Sequence, residues 1–212
     1  PDARRHAVTV VMDGISENIG KWENENGYAV ADVTVDKGRI RAIEPTNDVI
    51  YYYGDSITEG VMSANSGISC GSNNSAVHTY AFESAKALGA VPYFIGYGAT
   101  GVTASGSFAK FSDAIDHLSK DRIDDETIKP REIVINHGHN DGAEAFESEL
   151  RTALTELINR FPDTPVYYVI PFAQKNADAI RTVCAVFDNV TVIETSSLTI
   201  EYGNDNVHPT AN

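Results

Sequence analysis

The stretch DVIYYYGDSITEG, residues 48–60, decides how this chain folds. An apolar, β-branched run leads into three consecutive tyrosines and stops at Gly54, where the polar pair Asp55 and Ser56 begins. A run that is bulky on both alternating faces is typical of a strand buried inside a parallel sheet. We therefore interpret the three tyrosines as core residues, with a surface that stacks on sugar rings as the alternative.

The chain downstream of this stretch repeats the order strand, loop, helix. Strands are predicted at 48–53, 91–97, 132–137, 165–170 and 190–194. Helical patterns lie between them, and the longest has an apolar stripe formed by Phe146, Leu150, Leu154, Leu157, Ile158 and Phe161. This alternation predicts a five-stranded parallel sheet with helices on both faces. Because ligands bind beyond the carboxyl ends of such strands, Ser56 lies where a functional residue is expected.

The first 46 residues follow another pattern. The segments HAVTVVMDG (6–14) and YAVADVTVDKGRIRAI (28–43) are rich in β-branched residues, and Gly/Asn-rich turns separate them. This pattern predicts two or three antiparallel strands, such as the end of a jelly-roll domain. The sequence therefore divides into a β-rich segment, 1–46, and an α/β domain, 47–212, with Pro45 at the joint.

Composition excludes several classes of partner. The 212 residues carry a formal net charge of −14 and no basic cluster, so nucleic acid and anionic membranes are not expected partners, and a neutral substrate is favoured. No apolar run is long enough to span a membrane. Cys70 and Cys184 are compatible with two thiols or one disulfide, and no cysteine–histidine cluster predicts structural zinc. We predict no cofactor, and the sequence leaves the oligomeric state open.

A serine nucleophile needs a histidine base and a group that orients that base. The segment DNVHP (205–209) supplies both, because Asp205 and His208 are three residues apart and Pro209 restricts the turn. Ser56, His208 and Asp205 are thus the predicted catalytic residues. Two alternatives remain at this stage: Ser56 as a plain helix cap, and Asp205 as a turn residue, with a main-chain carbonyl orienting His208.

Acyl transfer also requires hydrogen-bond donors for the developing oxyanion. The third predicted strand ends in INHGHND, which places the Asn140 amide on the same rim as Ser56. The second ends in YGATGVTA, where the backbone N–H of Gly101, with no Cβ in the way, is the predicted donor and Gly98 is the alternative. The backbone N–H of Ser56 is the third predicted donor.

Two other motifs suggest different chemistry. GISCG (67–71) fits the G-x-S-x-G pattern of α/β-hydrolases, but the residues before Ser69 are not strand-like, as that motif requires. HGHND places His137, His139 and Asp141 at a spacing that can bind zinc. Position 142 is glycine and only His208 follows downstream, so we predict no metal site and expect His139 to shape the cleft.

The blocks GDSITEG, the glycine in ATGVTA, GHND and DNVH resemble, in order, the four sequence blocks of the SGNH (GDSL-type) hydrolases. The resemblance covers Asp48 to the C-terminus. It implies a flavodoxin-like three-layer α/β/α fold and serine esterase chemistry. It also implies that Ser56 is the nucleophile, that Gly101 and Asn140 are oxyanion donors, and that His208 is the base oriented by Asp205.

A β-rich stretch ahead of GDSIT, and the Gly/Ser/Asn-rich loop that leads into AFESAKALGA, are similar to carbohydrate esterase family 2. This resemblance implies removal of acetyl groups from an acetylated polysaccharide or oligosaccharide, and an extracellular or periplasmic location. It also leads us to expect that the chain lacks a closing C-terminal helix and has only part of a jelly-roll. A lipid or aryl esterase and a non-catalytic carbohydrate-binding remnant are the alternatives.

Overall fold

A parallel sheet is built around the strand formed by the first half of residues 48–60. The computed structural model describes residues 6–17, 19–24, 30–41, 43, 48–106, 109–124 and 128–210. The strands in chain order are β1 (Val49–Gly54), β2 (Val91–Gly96), β3 (His117–Ser119), β4 (Arg122–Ile123), β5 (Glu132–Asn136), β6 (Val166–Val169) and β7 (Val190–Ile193). Five of them form an all-parallel sheet in the order β2-β1-β5-β6-β7. The predicted five-stranded sheet is confirmed, and each strand ends within one residue of its predicted bounds.

Helices cover both faces of the sheet. They are α1 (Ser56–Glu59), α2 (Tyr80–Ala87), α3 (Phe146–Arg160) and α4 (Ala177–Cys184), with 3-10 turns at Ala76–His78 and Ser112–Ala114. The apolar stripe of α3 and the buried face of α4 belong to the larger core cluster, whereas α2 packs in a smaller cluster on the opposite face. The predicted three-layer α/β/α class is therefore confirmed. No helix among the described residues is long and apolar enough to cross a membrane.

The three tyrosines are core residues, as predicted. Tyr51 and Tyr53 belong to the larger cluster and Tyr52 to the smaller one, which is the alternation expected of a strand. Their hydroxyl groups are also paired: Tyr53 donates to the Ile115 carbonyl at 3.1 Å, and Tyr52 shares a hydrogen bond with Ser84 at 2.8 Å. Pairing removes the cost of burying these polar groups, so no sugar-stacking surface is formed here.

The described residues of the segment 1–46 form no strand, contrary to the prediction of antiparallel strands. Valines of this segment are exposed, with 81% of Val8 and 59% of Val33 accessible to solvent. Alternating β-branched residues form a strand only where a neighbouring strand accepts their backbone hydrogen bonds, and the described residues supply none. The antiparallel pair that is present, β3 with β4, lies elsewhere, and Pro45 falls outside the described residues.

Candidate active site

The turn from β1 into α1 presents Ser56 at the carboxyl edge of the sheet. Asp55 caps the helix, because its Oδ1 accepts a hydrogen bond from the Ile57 amide at 2.9 Å. The helix packs tightly over the strand ends, where a Cβ on Gly54 would overlap Thr58. The capping role that Ser56 was considered for thus falls to Asp55, and the Ser56 hydroxyl remains available.

The Ser56 hydroxyl meets an imidazole from the far end of the chain. His208 Nε2 lies 2.8 Å from Ser56 Oγ, although 152 residues separate the two positions. Both residues are buried, with 6% of Ser56 and 8% of His208 exposed. Because few groups compete for this contact in a buried site, the hydroxyl and the imidazole are pre-arranged for proton transfer.

Asp205 holds the other side of the imidazole. Its Oδ2 lies 2.5 Å from His208 Nδ1, while its Oδ1 accepts hydrogen bonds from the backbone amides of Val207 at 3.0 Å and His208 at 3.1 Å. Partial burial raises the pKa of Asp205, but these hydrogen bonds outweigh it and hold the pKa below its ordinary value. An ionised Asp205 places the proton of neutral His208 on Nδ1 and leaves Nε2 free to accept from Ser56.

The loop that carries these two residues is fixed by main-chain contacts. The Gly203 amide donates to the His208 carbonyl at 2.8 Å, and Tyr202 forms an isolated antiparallel bridge with Pro209. The structure therefore brings together Ser56, Asp205 and His208, the three predicted catalytic residues, in the geometry of a hydrolase triad. Their catalytic roles are part of the function proposed below.

Asn140 reaches the same rim from the loop after β5. Its Nδ2 donates to the Thr100 carbonyl at 2.8 Å and makes a longer contact of 3.3 Å with Asp55 Oδ2. The longer contact is the weaker of the two. The side chain is thus held against Asp55, the residue before Ser56, and its role as an oxyanion donor is part of the function proposed below.

Gly101 is not positioned as the sequence analysis predicted. Its amide already donates to the Ala104 carbonyl at 2.8 Å, which uses the hydrogen assigned to the oxyanion. The absence of a side chain at Gly101 has another reason, because a Cβ there would overlap the Asp141 carboxylate. The alternative, Gly98, has an amide that makes no hydrogen bond to the described residues. Among the described residues, Gly98 is therefore the one of the two glycines whose amide has no acceptor.

Asp141 connects two loops of the site, a role the sequence analysis did not identify. Its buried carboxylate accepts hydrogen bonds from the backbone amides of Val102, Thr103 and Ala104 and from the Thr103 hydroxyl, at 2.6–3.0 Å. These contacts tie the loop after β2 to the loop after β5. The only signal in the sequence was a carboxylate directly after Asn140, which we considered as a metal ligand.

His137 and His139, the two histidines considered as zinc ligands, lie in different environments. His137 is fully buried against the ring of Phe111, and burial lowers its pKa to about 4. His139 is half-buried, and the Asp141 carboxylate accepts hydrogen bonds from the loop amides. Among the described residues, the structure forms no group of three side chains able to hold a metal ion.

The described part of the N-terminal segment packs against the site. Lys21 forms an ion pair with Glu59 at the end of α1, and Trp22 packs edge-on against Tyr97 with ring centroids 5.5 Å apart. Trp22 is buried and therefore serves as a packing residue. The Glu17 side chain lies over Gly98, where a Cβ would overlap it. Glu17, Lys21 and Trp22 thus border the catalytic edge of the sheet.

Local contacts distinguish the alternatives for Ser69 and for the two cysteines. Ser69 lies in a loop with no preceding strand, and its hydroxyl accepts hydrogen bonds from Asn74 Nδ2 at 3.0 Å and the Glu17 amide at 3.4 Å. Ser69 therefore has a structural role in that loop. Cys70 and Cys184 are both free thiols; Cys184 is buried in the core and Cys70 lies in the surface loop.

Asp55 is a buried acid beside the candidate nucleophile. Its pKa is raised to about 7, mainly by burial and also by the nearby charges of Asp141 and Glu17, while the hydrogen bond from the Ile57 amide opposes the shift. Because an ordinary aspartate titrates near pH ~3.9, the folded chain holds this proton to higher pH than the unfolded chain does. Asp55 therefore destabilises the fold progressively as pH rises from ~4 to ~7, and fully above that range.

We expect Asp55→Asn to isolate this effect. His137 acts in the opposite sense, because its lowered pKa makes stability rise with pH between ~4 and ~6.5, and subtracting the wild-type curve cancels its contribution. The free energy of unfolding of Asp55→Asn minus that of the wild type should increase by about 4 kcal/mol between pH 4 and pH 8. Urea unfolding at a series of pH values measures this difference, and a difference independent of pH would refute the shift.

Comparison with known proteins gives the class to which this fold belongs. No protein-family model matches the sequence, and no curated protein matches it by sequence. Solved structures do match: the parallel sheet, with Ser56, His208 and Asp205 at its carboxyl edge, has the fold of the SGNH-type hydrolases. Within that class, the similar structures are carbohydrate esterases of family 2.

A family 2 enzyme with a carbohydrate-binding domain from Myceliophthora fergusii has a TM-score of 0.71 and 18% identity, covering 85% of this chain and 66% of that one. A family 2 esterase from Clostridium thermocellum, in complex with cellohexaose, has a TM-score of 0.69 and 22% identity, covering 81% and 61%. An acetyl xylan esterase from Butyrivibrio proteoclasticus has a TM-score of 0.63 and 16% identity, again covering 81% and 61%. The chain thus spans less than two thirds of each of these proteins and shares their fold.

Proposed function

We propose that this chain is a serine esterase that hydrolyses short acyl esters, and that its substrates are O-acetyl groups on a neutral polysaccharide or oligosaccharide. The observation that carries the proposal is the contact of Ser56 Oγ with His208 Nε2 at 2.8 Å, with Asp205 behind the imidazole at 2.5 Å. Such an arrangement activates a hydroxyl that is otherwise a poor nucleophile.

The reaction follows from this geometry. Ser56 Oγ attacks the ester carbonyl while His208 Nε2 takes its proton, and the negative Asp205 stabilises the imidazolium that results. His208 then gives that proton to the leaving alcohol oxygen, which leaves the acyl group on Ser56. Water enters, gives a proton to His208 and attacks the acyl carbon, after which His208 returns the proton to Ser56 and the carboxylic acid departs.

Three donors are proposed for the oxyanion. The Ser56 amide is the first of α1 and has no acceptor within the helix. Asn140 Nδ2 lies beside Asp55, and the Gly98 amide takes the part that the sequence analysis gave to Gly101. Hydrogen bonds from fixed donors are strongest when charge develops on the carbonyl oxygen, so their effect is on the chemical step.

Two observations support the choice of substrate. The net charge of −14 disfavours acidic substrates and is compatible with a neutral glycan. Among proteins with this fold, one is described as an acetyl xylan esterase and another was solved with cellohexaose. Because polysaccharides of this kind lie outside cells, we also propose an extracellular or periplasmic site of action.

Release of acetate from acetylated xylan and acetylated glucomannan tests the substrate. The proposal requires acetate release and a covalent fluorophosphonate adduct on Ser56. A profile of p-nitrophenyl esters that peaks at long acyl chains would instead favour a lipid esterase of the same fold. Binding of glycan without an adduct or acetate release would favour a non-catalytic carbohydrate-binding protein.

Replacing Asn140 by alanine removes the side-chain oxyanion donor. We expect kcat for p-nitrophenyl acetate to fall about 100-fold with little change in KM, because the lost hydrogen bond matters most in the transition state. Asn65→Ala serves as the control, since Asn65 donates to the Ser72 carbonyl in an exposed loop. A rise in KM at constant kcat would show that Asn140 binds substrate uniformly and is no oxyanion donor.

A further inference from the structure

His139 lies next to Asn140 but faces another part of the site. The Asn140 side chain points to Thr100 and Asp55, on the side of the sheet where β2 lies. On the other side, Lys175, which follows β6, donates to the His139 carbonyl at 2.8 Å. The His139 imidazole is also within electrostatic range of Lys175 and of His208. The Asn140 side chain thus contacts the β1 and β2 side of this loop, whereas the His139 carbonyl contacts Lys175, which follows β6.

The His139 ring has no hydrogen bond to any of the described residues. Its Nδ1 is buried without a partner, whereas Nε2 is not among the buried unpaired atoms and so reaches solvent. A proton on Nδ1 would be a buried donor without an acceptor, which costs about 1–3 kcal/mol. The favourable neutral tautomer carries its proton on Nε2, which leaves an N–H donor that reaches solvent and has no partner among the described residues.

The ring stays neutral while the reaction proceeds. Burial lowers the pKa of His139, and the positive charges of Lys175 and of protonated His208 lower it further. A neutral imidazole adds no charge that would repel the imidazolium formed on His208 during catalysis. It can therefore contact a substrate beside the base without opposing proton transfer.

We propose that His139 Nε2–H is a substrate contact on the leaving-group side, donating a hydrogen bond to a hydroxyl or ring oxygen of the sugar that bears the ester. This inference rests on the proposed function. His208 must hand its proton to the leaving alcohol oxygen, so the sugar lies against His208. His139 interacts electrostatically with His208 and has an N–H without a partner among the described residues, and we expect it thereby to favour sugar esters over esters of simple alcohols.

The test compares two substrates in the same chain. We expect His139→Ala to lower the ratio of kcat/KM for an acetylated xylo-oligosaccharide to kcat/KM for p-nitrophenyl acetate by about 10-fold, the value of one lost hydrogen bond to substrate. His139→Gln, whose amide places a donor near the position of Nε2, should restore part of that ratio. His117→Ala is the matched control, because His117 pairs with Asp116 on β3, outside the site, and its ratio should match the wild type.

An equal loss on both substrates would show that His139 only supports the loop, and it would overturn the inference. An unchanged ratio in His139→Ala would overturn it as well. Failure of the proposed function would look different. In that case the wild-type chain would hydrolyse neither substrate and Ser56 would form no fluorophosphonate adduct. That outcome would contradict both proposals.

Discussion

Replacing Ser56 by alanine is expected to lower kcat for p-nitrophenyl acetate by about 10⁴-fold or more, to the residual rate given by the oxyanion donors alone. The reason is that no acyl-enzyme can form without Oγ, while the imidazole 2.8 Å away has no hydroxyl left to activate. Initial-rate measurements, together with mass spectrometry after fluorophosphonate treatment, give the result. The variant should bind no probe, and its fold should be unchanged by circular dichroism.

A second serine in the same chain provides the matched control. Ser69 lies in the GISCG sequence that imitates a nucleophile motif, but its hydroxyl is hydrogen-bonded to Asn74 and to the Glu17 amide. Ser69→Ala should therefore keep its activity within a few-fold of the wild type. Activity retained by Ser56→Ala and lost by Ser69→Ala would reverse the assignment and make the contact with His208 incidental.

The carboxyl edge of the sheet could be predicted because each part of it follows from local sequence. An apolar run that ends at a glycine marks the end of a strand, and parallel strands bring all such ends to one edge. Ser56 and Asn140 follow strands of this kind, so their proximity needed no knowledge of packing. Asp205 and His208 are three residues apart in one turn, so their contact was also a local matter.

The contacts that could not be predicted depend on loop conformation. The sequence favours Gly101, with Gly98 as the alternative, and only the path of the backbone decides which amide is already bonded to Ala104. Asp141 follows Asn140 directly, but its three amide donors come from a loop 37–39 residues earlier in the chain. A pattern in one segment carries no information about which distant amides will face it.

The strands predicted in residues 1–46 are not seen among the described residues for a different reason. Its alternation of valines correctly identifies residues suited to a strand, but a strand requires a partner, and partner availability is a property of the whole fold. The contacts that border the site are made instead by residues of that segment that lie outside its β-patterns. These residues are Glu17, Lys21 and Trp22. Propensity therefore did not indicate which part of the segment would pack.

Asp205→Asn is expected to lower kcat by about 10³–10⁴-fold while leaving substrate binding nearly unchanged. Asparagine keeps an oxygen that can accept from the Val207 and His208 amides, so the turn should persist. Its amide nitrogen, however, would face His208 Nδ1 as a donor and would favour the tautomer with the proton on Nε2, which cannot accept from Ser56. Steady-state kinetics on p-nitrophenyl acetate measures the loss.

The chain contains its own control for this experiment. Asp116 and His117 make a second carboxylate–imidazole contact, also 2.5 Å long, outside the candidate site, so Asp116→Asn should leave kcat unchanged. If kcat of Asp205→Asn fell only a few-fold, Ser56 and His208 would act as a dyad. The imidazole would then be oriented by a main-chain carbonyl, which is the alternative given by the sequence. A large loss confined to Asp205→Asn would instead establish that the short contact behind His208 fixes the tautomer on which the nucleophile depends.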